Sequence, residues 1–468
     1  MILRRLHDPK LAQTSYFLGC PTSGEALVVD PNRAVDRYLR AAADEGLRIA
    51  HVTETHIHAD FISGARELAQ RAGARLYLSA AGGSEWQYQY AGEAGATLLK
   101  DGSCLRVGAV ELRVMHVPGH TPEHLTFLVV DAGATEPMGA LTGDFIFVGD
   151  VGRPDLLERA VRAKGTMEEG ARQLFRSLQR FRALPDYLQI WPGHGAGSAC
   201  GKSLSAVPQS TLGYEKRFNW AFGIDDESEF VSEVIAGQPD PPRYFAEMKR
   251  INRAGPRLLG EVRRPARLSV EALAEVLGSG GVVVDTRETK EFTPGAVPGT
   301  INIPATRGFT TWAGSLLDYD RDFYLIADDN RMDELVRDLA GIGLDRIAGY
   351  FPNEVVEEWS RSSRLQTIPT LNLDSTKRQS HNGTLLLDVR GEGEWSAGHI
   401  PAALNIPLGQ LDQRLGEIPR DRALIVHCQT GARGAMAASL LRARGFEDVR
   451  LFPGGFAEWQ AAGLPVDA

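Results

Sequence analysis

Short apolar runs alternate with amphipathic stretches along the amino-terminal half of the chain. An apolar run of roughly four to eight residues between turn residues predicts a strand, whereas apolar residues at every third or fourth position predict a helix. The predicted strands are Ala26–Val29, Arg48–Thr53, Val110–Val117 and Leu125–Val130. The predicted helical stretches are Val35–Glu45 and Phe61–Ala72. This alternation indicates an α/β fold in which helices cover sheets.

The carboxyl-terminal half contains an internal repeat. Residues 282–304 read VVVDTRETKEFTPGAVPGTINIP and residues 385–407 read LLLDVRGEGEWSAGHIPAALNIP, with eight of 23 positions identical at a spacing of 103. Each copy begins with an apolar run that ends in Asp-x-Arg and later has a second apolar strand followed by a helical stretch that ends at glycine. A period of this length indicates a duplicated domain, and the alternation of strands and helices predicts a parallel sheet in each copy.

The length and composition are those of a globular protein with several domains. The chain has 468 residues, which corresponds to about three domains. Hydrophobic residues make up 43% and charged residues 24%, as in ordinary globular proteins. Together with the repeat, this predicts a multidomain α/β protein with domains at residues 1–250, 262–362 and 368–468.

Charge, hydropathy and cysteine content exclude several classes of partner and compartment. The formal charge of −9, from 51 basic and 60 acidic residues, disfavours a nucleic-acid or anionic membrane partner. No apolar run approaches the roughly 18 residues that span a bilayer, and no apolar segment follows Arg4 and Arg5 as in a secretory signal. Four scattered cysteines, at positions 20, 104, 200 and 428, do not form a disulfide framework. We expect a cytoplasmic protein, and the sequence leaves a homo-oligomer open.

Seven of the eleven histidines fall between His51 and His194, in short segments that follow predicted strands. The segments are Thr-His-Ile-His-Ala-Asp at 55–60, Pro-Gly-His-Thr at 118–121, Thr-Gly-Asp at 142–144 and Pro-Gly-His-Gly at 192–195. A single histidine is more often a surface or buried structural residue than a metal ligand. Four such segments at strand ends, however, bring imidazole and carboxylate groups to one edge of a scaffold, as a first-row metal requires.

Over about residues 1–250 this pattern resembles the metallo-β-lactamase superfamily, in its glyoxalase II-like branch. The resemblance implies an αββα sandwich. The family pattern is T-H-x-H-x-D-H, and this chain has Phe61 in place of the last histidine. In two-metal members that histidine helps to hold the second metal. Because phenylalanine offers no lone pair, we do not expect a complete second metal site.

The remaining set of His56, His120 and Asp144 is two imidazoles and one carboxylate, which is typical of non-haem Fe(II) oxygenases. It is similar to the persulfide dioxygenase (sulfur dioxygenase) branch of the superfamily, which the segment 142–158 also resembles. The resemblance implies one Fe(II) per chain, held by these three residues, with thiol persulfides and O2 as substrates and sulfite as product. It also implies that Arg153 positions the thiol part of the substrate. Groups expected near the metal ligands are His58, Asp60 and His194.

Two cysteines of this half are candidate redox thiols. Cys200 lies six residues after His194 in a glycine-rich stretch, and Cys20 lies near a strand end in Leu-Gly-Cys-Pro. Either residue could instead be a small buried hydrophobe, which is the commoner role of a free cysteine.

In the second copy of the repeat, residues 425–433, IVHCQTGAR, run from a buried strand into a helix. Backbone N–H groups at a helix N-terminus favour a thiolate at Cys428 and bind anionic sulfur. Arg433 adds a guanidinium suited to a sulfur oxyanion. Over about residues 370–468 the chain resembles rhodaneses, which are sulfurtransferases, and the resemblance implies catalytic roles for Cys428 and Arg433. The implied substrate-binding residues are Gln429, Thr430, Gly431 and Ala432.

A phosphatase-like reading of this loop is disfavoured, because it needs an arginine six residues after the cysteine and Arg433 comes five after it. The first copy has no cysteine at all, and Asp328 stands approximately where the nucleophile would be. We expect that copy to be a scaffold or docking domain.

Taken together, the resemblances imply oxidation of low-molecular-weight thiol persulfides to sulfite, coupled to sulfur transfer at Cys428 that gives or uses thiosulfate. One alternative is a glyoxalase II-like zinc thioester hydrolase fused to a sulfurtransferase. Another is a non-catalytic protein of sulfur trafficking or sensing. The thiol that carries the persulfide and the direction of sulfur transfer stay open.

Overall fold

The computed structural model describes residues 1–156, 158, 165–238, 240–380 and 383–468. These residues form two compact units. The first comprises Met1–Glu261 with Ala340–Gly343, and the second comprises Val262–Leu339 with Leu344–Ala468. Within these described ranges, we find no helix with the length and apolar character that a bilayer crossing needs. The three domain boundaries given above stay predictions.

The first unit contains two six-stranded sheets. The strands of the first sheet, in both chain and spatial order, are β1 Ile2–Asp8, β2 Gln13–Cys20, β3 Glu25–Val29, β4 Arg48–Thr53, β5 Arg75–Ser79 and β6 Thr97–Leu99. The strands of the second are β7 Cys104–Val107, β8 Val110–His116, β9 Leu125–Val130, β10 Gly139–Gly143, β11 Gln189–Pro192 and β12 Ser210–Thr211. Strands β3 to β6 pair in parallel, as do β10 and β11, whereas the other neighbours are antiparallel.

Helices cover the outer faces of both sheets. They are α1 Asp36–Asp44, α2 Ala65–Ala72, α3 Thr166–Arg182, α4 Leu212–Phe218, α5 Glu227–Ile235 and α6 Phe245–Ala254. Buried side chains of α1 and α2 pack on the first sheet and those of α3 and α5 on the second. Between the sheets, residues such as Leu18, Leu27, Phe127 and Trp191 form a separate apolar layer. The predicted αββα sandwich is therefore confirmed.

Three predicted elements are shorter in the structure, of which α1 lacks only the predicted terminal residues Val35 and Glu45. Helix α2 begins at Ala65 rather than Phe61, because residues 61–64 belong to the loop that follows the Thr-His-x-His-x-Asp segment. Strand β8 ends at His116. Both differences leave more chain in the loops at the strand ends.

The second unit contains two four-stranded parallel sheets with the same strand order. The strands of one are β13 Val282–Asp285, β14 Ile301–Asn302, β15 Phe323–Ala327 and β16 Ile347–Pro352, in the order β14-β13-β15-β16. The strands of the other are β17 Leu385–Asp388, β18 Leu404–Asn405, β19 Leu424–His427 and β20 Val449–Leu451, in the order β18-β17-β19-β20. The prediction of a duplicated parallel α/β domain is confirmed.

Helices of the second unit flank these sheets. They are α7 Val270–Gly278, α8 Thr289–Phe292, α9 Phe309–Leu316, α10 Met332–Gly341, α11 Val355–Ser360, α12 Leu373–Ser380, α13 Glu392–Ser396, α14 Ala432–Ala443 and α15 Gly455–Ala461. Short 3-10 helices lie at Ser84–Trp86, Trp220–Gly223, Asp329–Arg331, Leu408–Gln413 and Leu415–Glu417.

Some of the identities in the repeat have a structural role. At the end of β17 the guanidinium of Arg390 donates to both carboxylate oxygens of Asp388 and to the carbonyl of Gly398, and both charged side chains are buried. The side-chain amide of Asn405 donates to the carbonyls of Asp388 and Arg390. Together these bonds fix the loop after the strand, and breaking such a buried pair costs about 3–5 kcal/mol.

Candidate metal centre and sulfur-transfer loop

Three loops at strand ends bring His56, His120 and Asp144 together, and the structure thus assembles the predicted ligand set. One potential ligand atom from each residue lies within 4.8 Å of the other two. The Nε2 atoms of His120 and His56 are 3.5 and 3.8 Å from Asp144 Oδ2. All three side chains are buried, and Asp144 Oδ2 has no hydrogen-bond partner. Because an unpartnered buried carboxylate oxygen is costly, this donor set fits a metal cation.

Neighbouring groups orient both imidazoles toward this point. His56 Nδ1 lies 2.9 Å from the hydroxyl of Thr55, which itself donates to Asp30 Oδ2. His120 Nδ1 lies 3.0 Å from the carbonyl oxygen of Arg153. Burial lowers the pKa of His56 and lowers that of His120 to about 4. Both rings are therefore neutral, with Nδ1 donating and the Nε2 lone pair free for a metal.

His58 is not part of this cluster of ligand atoms, although its ring centre lies 4.2 Å from that of His56. Its Nε2 lies 3.0 Å from Asp30 Oδ1, and its ring packs on Phe61 with the ring centres 4.4 Å apart. Burial alone would lower the pKa of His58, but the Asp30 carboxylate raises it to about 9. The ring is thus an imidazolium bound to a carboxylate. The ligand set then holds two imidazoles rather than three.

His194 bridges two carboxylates. Its Nδ1 is 2.7 Å from Asp144 Oδ1 and its Nε2 is 2.8 Å from Asp60 Oδ2. Against the effect of burial, these two carboxylates hold the pKa of His194 well above its ordinary value. His194 in turn lowers the pKa of Asp144, although burial opposes this. His194 therefore holds Asp144 as a carboxylate, with Oδ2 directed to the two neutral imidazoles.

Cys200 lies beside this bridge, as the sequence had suggested. Its sulfur is within 4.8 Å of ligand atoms of Asp60 and His194. The loop that carries it is held by Asp150 Oδ2, which accepts from the backbone N–H groups of Lys202 and Ser203. Burial, and then the nearby carboxylates, raise the pKa of Cys200 well above its ordinary value. A thiol in this state is a poor nucleophile at neutral pH.

We therefore expect iodoacetamide to label Cys104 before Cys200 in the native protein at neutral pH. Cys104 is exposed and Cys200 is buried, and each unit by which the pKa of a thiol is raised lowers its thiolate fraction about tenfold. Timed alkylation with peptide mass spectrometry measures both rates, and labelling in denaturant, where the two should react alike, is the control. Equal native rates would show that Cys200 is accessible and ionised, as a redox thiol needs.

The structure places Arg153 in the interior, and its role in positioning a substrate stays a prediction. Its side chain is fully buried, and its guanidinium forms two bonds of 2.7 Å to Asp155 and a third to the carbonyl of Ala199. Its backbone carbonyl accepts from His120. Arg153 thus ties the loops around His120 and Cys200 together.

Cys20 lies apart from both clusters of ligand atoms found among the described residues. Its sulfur accepts from the N–H of Ala109 in the turn between β7 and β8, and this bond is the main cause that lowers the pKa of Cys20 to about 7. The side chain is 3% exposed, within the apolar layer between the sheets. Its proposed redox role stays a prediction.

Glycine is required where the ligand loops approach each other. Gly143 has φ +52°, and a Cβ there would lie 2.5 Å from the Thr55 hydroxyl and 2.9 Å from His124 Nε2. The backbone N–H of Asp144 donates to the same His124 nitrogen. A larger residue at position 143 would therefore displace groups next to the ligand set.

Sequence reasoning missed several buried charges in this region. Glu123 accepts from the N–H of Ile57 and keeps one oxygen without a partner. Lys249 is buried over the ring of Trp86, and burial lowers its pKa to about 8. The only sequence signal was the position of Glu123 three residues after His120. Lys249 gave none.

The loop at Cys428 runs from the end of β19 to the start of α14. Cys428 is 1% exposed, and its sulfur accepts from the N–H of Gly431 at 3.1 Å. Gly431 has φ +93°, and a Cβ there would lie 2.5 Å from the carbonyl oxygen of Pro453. Glycine is therefore needed for the loop to close over the sulfur.

The other predicted loop residues differ in exposure and in their partners. Thr430 and Ala432 are exposed, and the half-buried Gln429 accepts from Arg390 through its side-chain oxygen. Arg433 is paired with both carboxylate oxygens of Glu394 and also interacts with Cys428. Their roles in binding a substrate stay predictions.

Strand register corrects the placement of the missing nucleophile by one residue. In each copy one residue of the strand lies opposite the aspartate of the Asp-x-Arg motif. This residue is Ile326 in the first copy and His427 in the second. The next residue is Ala327 in the first copy and Cys428 in the second. Ala327, not Asp328, therefore stands in the position of the nucleophile.

Asp328 instead caps the turn that follows. Its carboxylate accepts from the N–H of Asn330 at 2.8 Å, at the start of the 3-10 helix Asp329–Arg331. The corresponding loop of the second copy offers its N–H to sulfur.

Two family matches divide the chain. Residues 8–194 match the metallo-beta-lactamase superfamily, and residues 372–462 match the rhodanese-like domain. A solved structure described as a metallo-beta-lactamase from Staphylococcus aureus subsp. aureus COL is 42% identical, with a TM-score of 0.67. That match covers 75% of this chain and 99% of the other.

Two curated relatives resemble the amino-terminal half. A hydroxyacylglutathione hydrolase of Methylococcus capsulatus is 34% identical over 229 residues, which are 48% of this chain and 80% of that protein. A mitochondrial persulfide dioxygenase of Bos taurus is 27% identical over 197 residues, which are 42% of this chain and 68% of that protein. Matches to several other curated relatives span 53% to 61% of those proteins.

Proposed function

The chain belongs to the metallo-β-lactamase superfamily and carries a rhodanese-like domain at its carboxyl end, and from this premise we propose that it oxidises thiol persulfides to sulfite at one iron(II) and transfers sulfur at Cys428. The observation that carries the proposal is the cluster of two imidazoles and one carboxylate, while the Nε2 atom of His58 is bonded to Asp30. That set is typical of oxygen-using non-haem iron sites.

His56, His120 and Asp144 would hold the iron. Bound there, iron(II) supplies the one-electron chemistry with O2 that protein side chains lack. The chain contributes orientation, since Thr55 and the Arg153 carbonyl direct the two imidazoles and His194 holds Asp144 ionised. Burial of all three ligands keeps water from competing for the site.

The overall reaction balances without a further reductant. One persulfide anion, one O2 and one water give the free thiol, one sulfite dianion and one proton. The two sulfur electron pairs that reduce O2 come from the terminal sulfur, which leaves as sulfite.

Cys428 supports the second reaction. Its thiolate attacks the terminal sulfur of a persulfide, the sulfur–sulfur bond of the donor breaks, and the donor thiolate leaves. Sulfite then attacks the sulfur held on Cys428 and leaves as thiosulfate, which restores the thiolate. The N–H of Gly431 donates to the nucleophilic sulfur, and Arg433 places a cation beside it.

A zinc thioester hydrolase is the second candidate, favoured by the likeness to a hydroxyacylglutathione hydrolase. Phe61 argues against it, because the aromatic ring packs on His58 where a two-metal site needs a further imidazole.

Metal analysis combined with O2 uptake tests the proposal. We expect about one iron per chain and O2 consumption with low-molecular-weight thiol persulfides, since the three residues form one site of the non-haem iron type. The Phe61→His variant is the matched comparison, and it should not raise O2 uptake. Two tightly bound zinc ions with thioester hydrolysis would support the hydrolase instead. No O2 uptake with any persulfide would favour a sensing or trafficking role.

A further inference from the structure

The two copies of the repeat differ on one face of corresponding helices. Helix α10 is followed by Gly343 and helix α14 by Gly445, both in the left-handed conformation. Aligned on these glycines, four charged residues of α10 correspond to four uncharged residues of α14. The charged residues are Asp333, Glu334, Arg337 and Asp338, and their counterparts are Ala435, Met436, Ser439 and Leu440.

Helix α14 has no solvent-facing side along its middle. Every residue from Gly434 to Leu441 is buried. Because eight consecutive residues span more than two helical turns, they point in all directions around the axis. In α10, by contrast, Asp333 and Arg337 are exposed. One side of α14 packs on its own strands β19 and β20, so a second element must cover the other.

The covering element belongs to the copy without a nucleophile. Strand β14 contacts α14, and the N–H of Asn302 donates to the Ser439 hydroxyl at 2.9 Å with both residues buried. The same hydroxyl donates to the carbonyl of Met436. In addition, α9 packs against the 3-10 helix Leu408–Gln413. The two copies therefore contact each other through apolar groups, and the hydrogen bond between Asn302 and Ser439 lies within this contact.

The covered helix begins at the sulfur-binding loop. Gly431, whose N–H donates to Cys428, immediately precedes α14. A change in the tilt of α14 would therefore move the N–H group of Gly431 relative to the sulfur of Cys428. Misplacement of a reacting group by about 1 Å can cost on the order of 100-fold in rate.

We propose that the copy without a nucleophile is a brace for α14, and that it positions the loop around Cys428 for sulfur transfer. Its partner is the second copy in the same chain, and Ser439 is a positioning residue at their contact. The proposal rests on the sulfurtransferase part of the proposed function. It gives the first copy a role that requires no substrate.

The test exchanges the matched positions of the two helices in the full chain. Ser439→Arg places on α14 the residue that α10 has, and Arg337→Ser is the reciprocal control on an exposed face. We expect Ser439→Arg to lower thiosulfate sulfurtransfer about 10- to 100-fold, with a higher KM for thiosulfate and less sulfur retained on Cys428. Arg337→Ser should match the parent protein, and O2 uptake and iron content should be unchanged in both.

Ser439→Ala covers the case in which the arginine variant does not fold. It removes one hydrogen bond and leaves the Asn302 N–H without a partner. We expect faster hydrogen exchange at residues 431–433 and a changed rate of Cys428 alkylation. Unchanged exchange and alkylation in Ser439→Ala, or parental sulfurtransfer in a folded Ser439→Arg, would overturn the brace. If the parent protein transfers no sulfur, the proposed function fails, while exchange and alkylation still decide on the brace.

Discussion

Replacing His120 with alanine is expected to abolish persulfide-dependent O2 uptake and to leave thiosulfate sulfurtransfer largely intact. The substitution removes one of the three groups that converge within 4.8 Å. It also leaves the carbonyl of Arg153 without its imidazole donor. Loss of an outer partner of a metal ligand already costs about 10- to 100-fold in affinity or activity, and loss of the ligand itself should exceed this.

An oxygen electrode, iron analysis and a thiosulfate assay measure the three quantities separately. His51→Gln is the matched control, because His51 is also buried in the first unit but contacts Tyr77 rather than the ligand set. We expect iron content and O2 uptake to fall together in His120→Ala and to stay near parental values in His51→Gln. Retained iron and O2 uptake in His120→Ala would remove this residue from the site.

Cys428→Ser is expected to shift the product of persulfide oxidation from thiosulfate to sulfite with near-normal O2 uptake. Serine cannot hold a sulfane sulfur, and neither copy of the repeat contains another cysteine. The proposed iron ligands lie in other segments of the chain and should be unaffected. In the parent protein, the covalent intermediate should appear as an added mass of about 32 Da, one sulfur atom on Cys428.

Ion chromatography gives the ratio of sulfite to thiosulfate, after correction for the spontaneous reaction of sulfite with persulfide. Cys104→Ser is the matched control, since Cys104 is exposed on β7. It should retain the parental ratio and the added mass. An unchanged ratio in Cys428→Ser would mean that the rhodanese-like domain does not process the sulfite formed at the iron.

The local part of the candidate site could be predicted from the sequence. His56, His120 and Asp144 each follow a strand that an apolar run predicts. The turn residues around them predict the loops. The duplicated parallel domain follows from the same periodicities and the αββα sandwich from the family resemblance, and both predictions are confirmed. The aspartate, arginine and asparagine that the two copies share form buried hydrogen bonds. These bonds hold the loop that follows the Asp-x-Arg strand in each copy.

Long-range partners could not be predicted in this way. Asp30 bonds to the Nε2 atom of His58 from 28 positions away, and only the folded chain shows this bond. The sequence likewise does not show that Arg153 is paired with Asp155 in the interior. The one-residue shift from Asp328 to Ala327 depends on strand register, which a single sequence does not define when the intervening loops differ in length.

The capped turn after β15 has a consequence for stoichiometry. A loop that binds sulfite or thiosulfate must have unoccupied N–H groups, and in the first copy the Asp328 carboxylate already accepts from Asn330. In the first copy the Asp328 carboxylate is therefore a tethered anion. Its effective concentration at the N–H group is higher than that of a free sulfur anion in solution. An Ala327→Cys substitution alone would supply a thiol but would leave the Asp328 carboxylate bound to the N–H of Asn330. Of the two similar folds in tandem, we therefore expect only the second to bind a sulfur anion, which corresponds to one equivalent per chain.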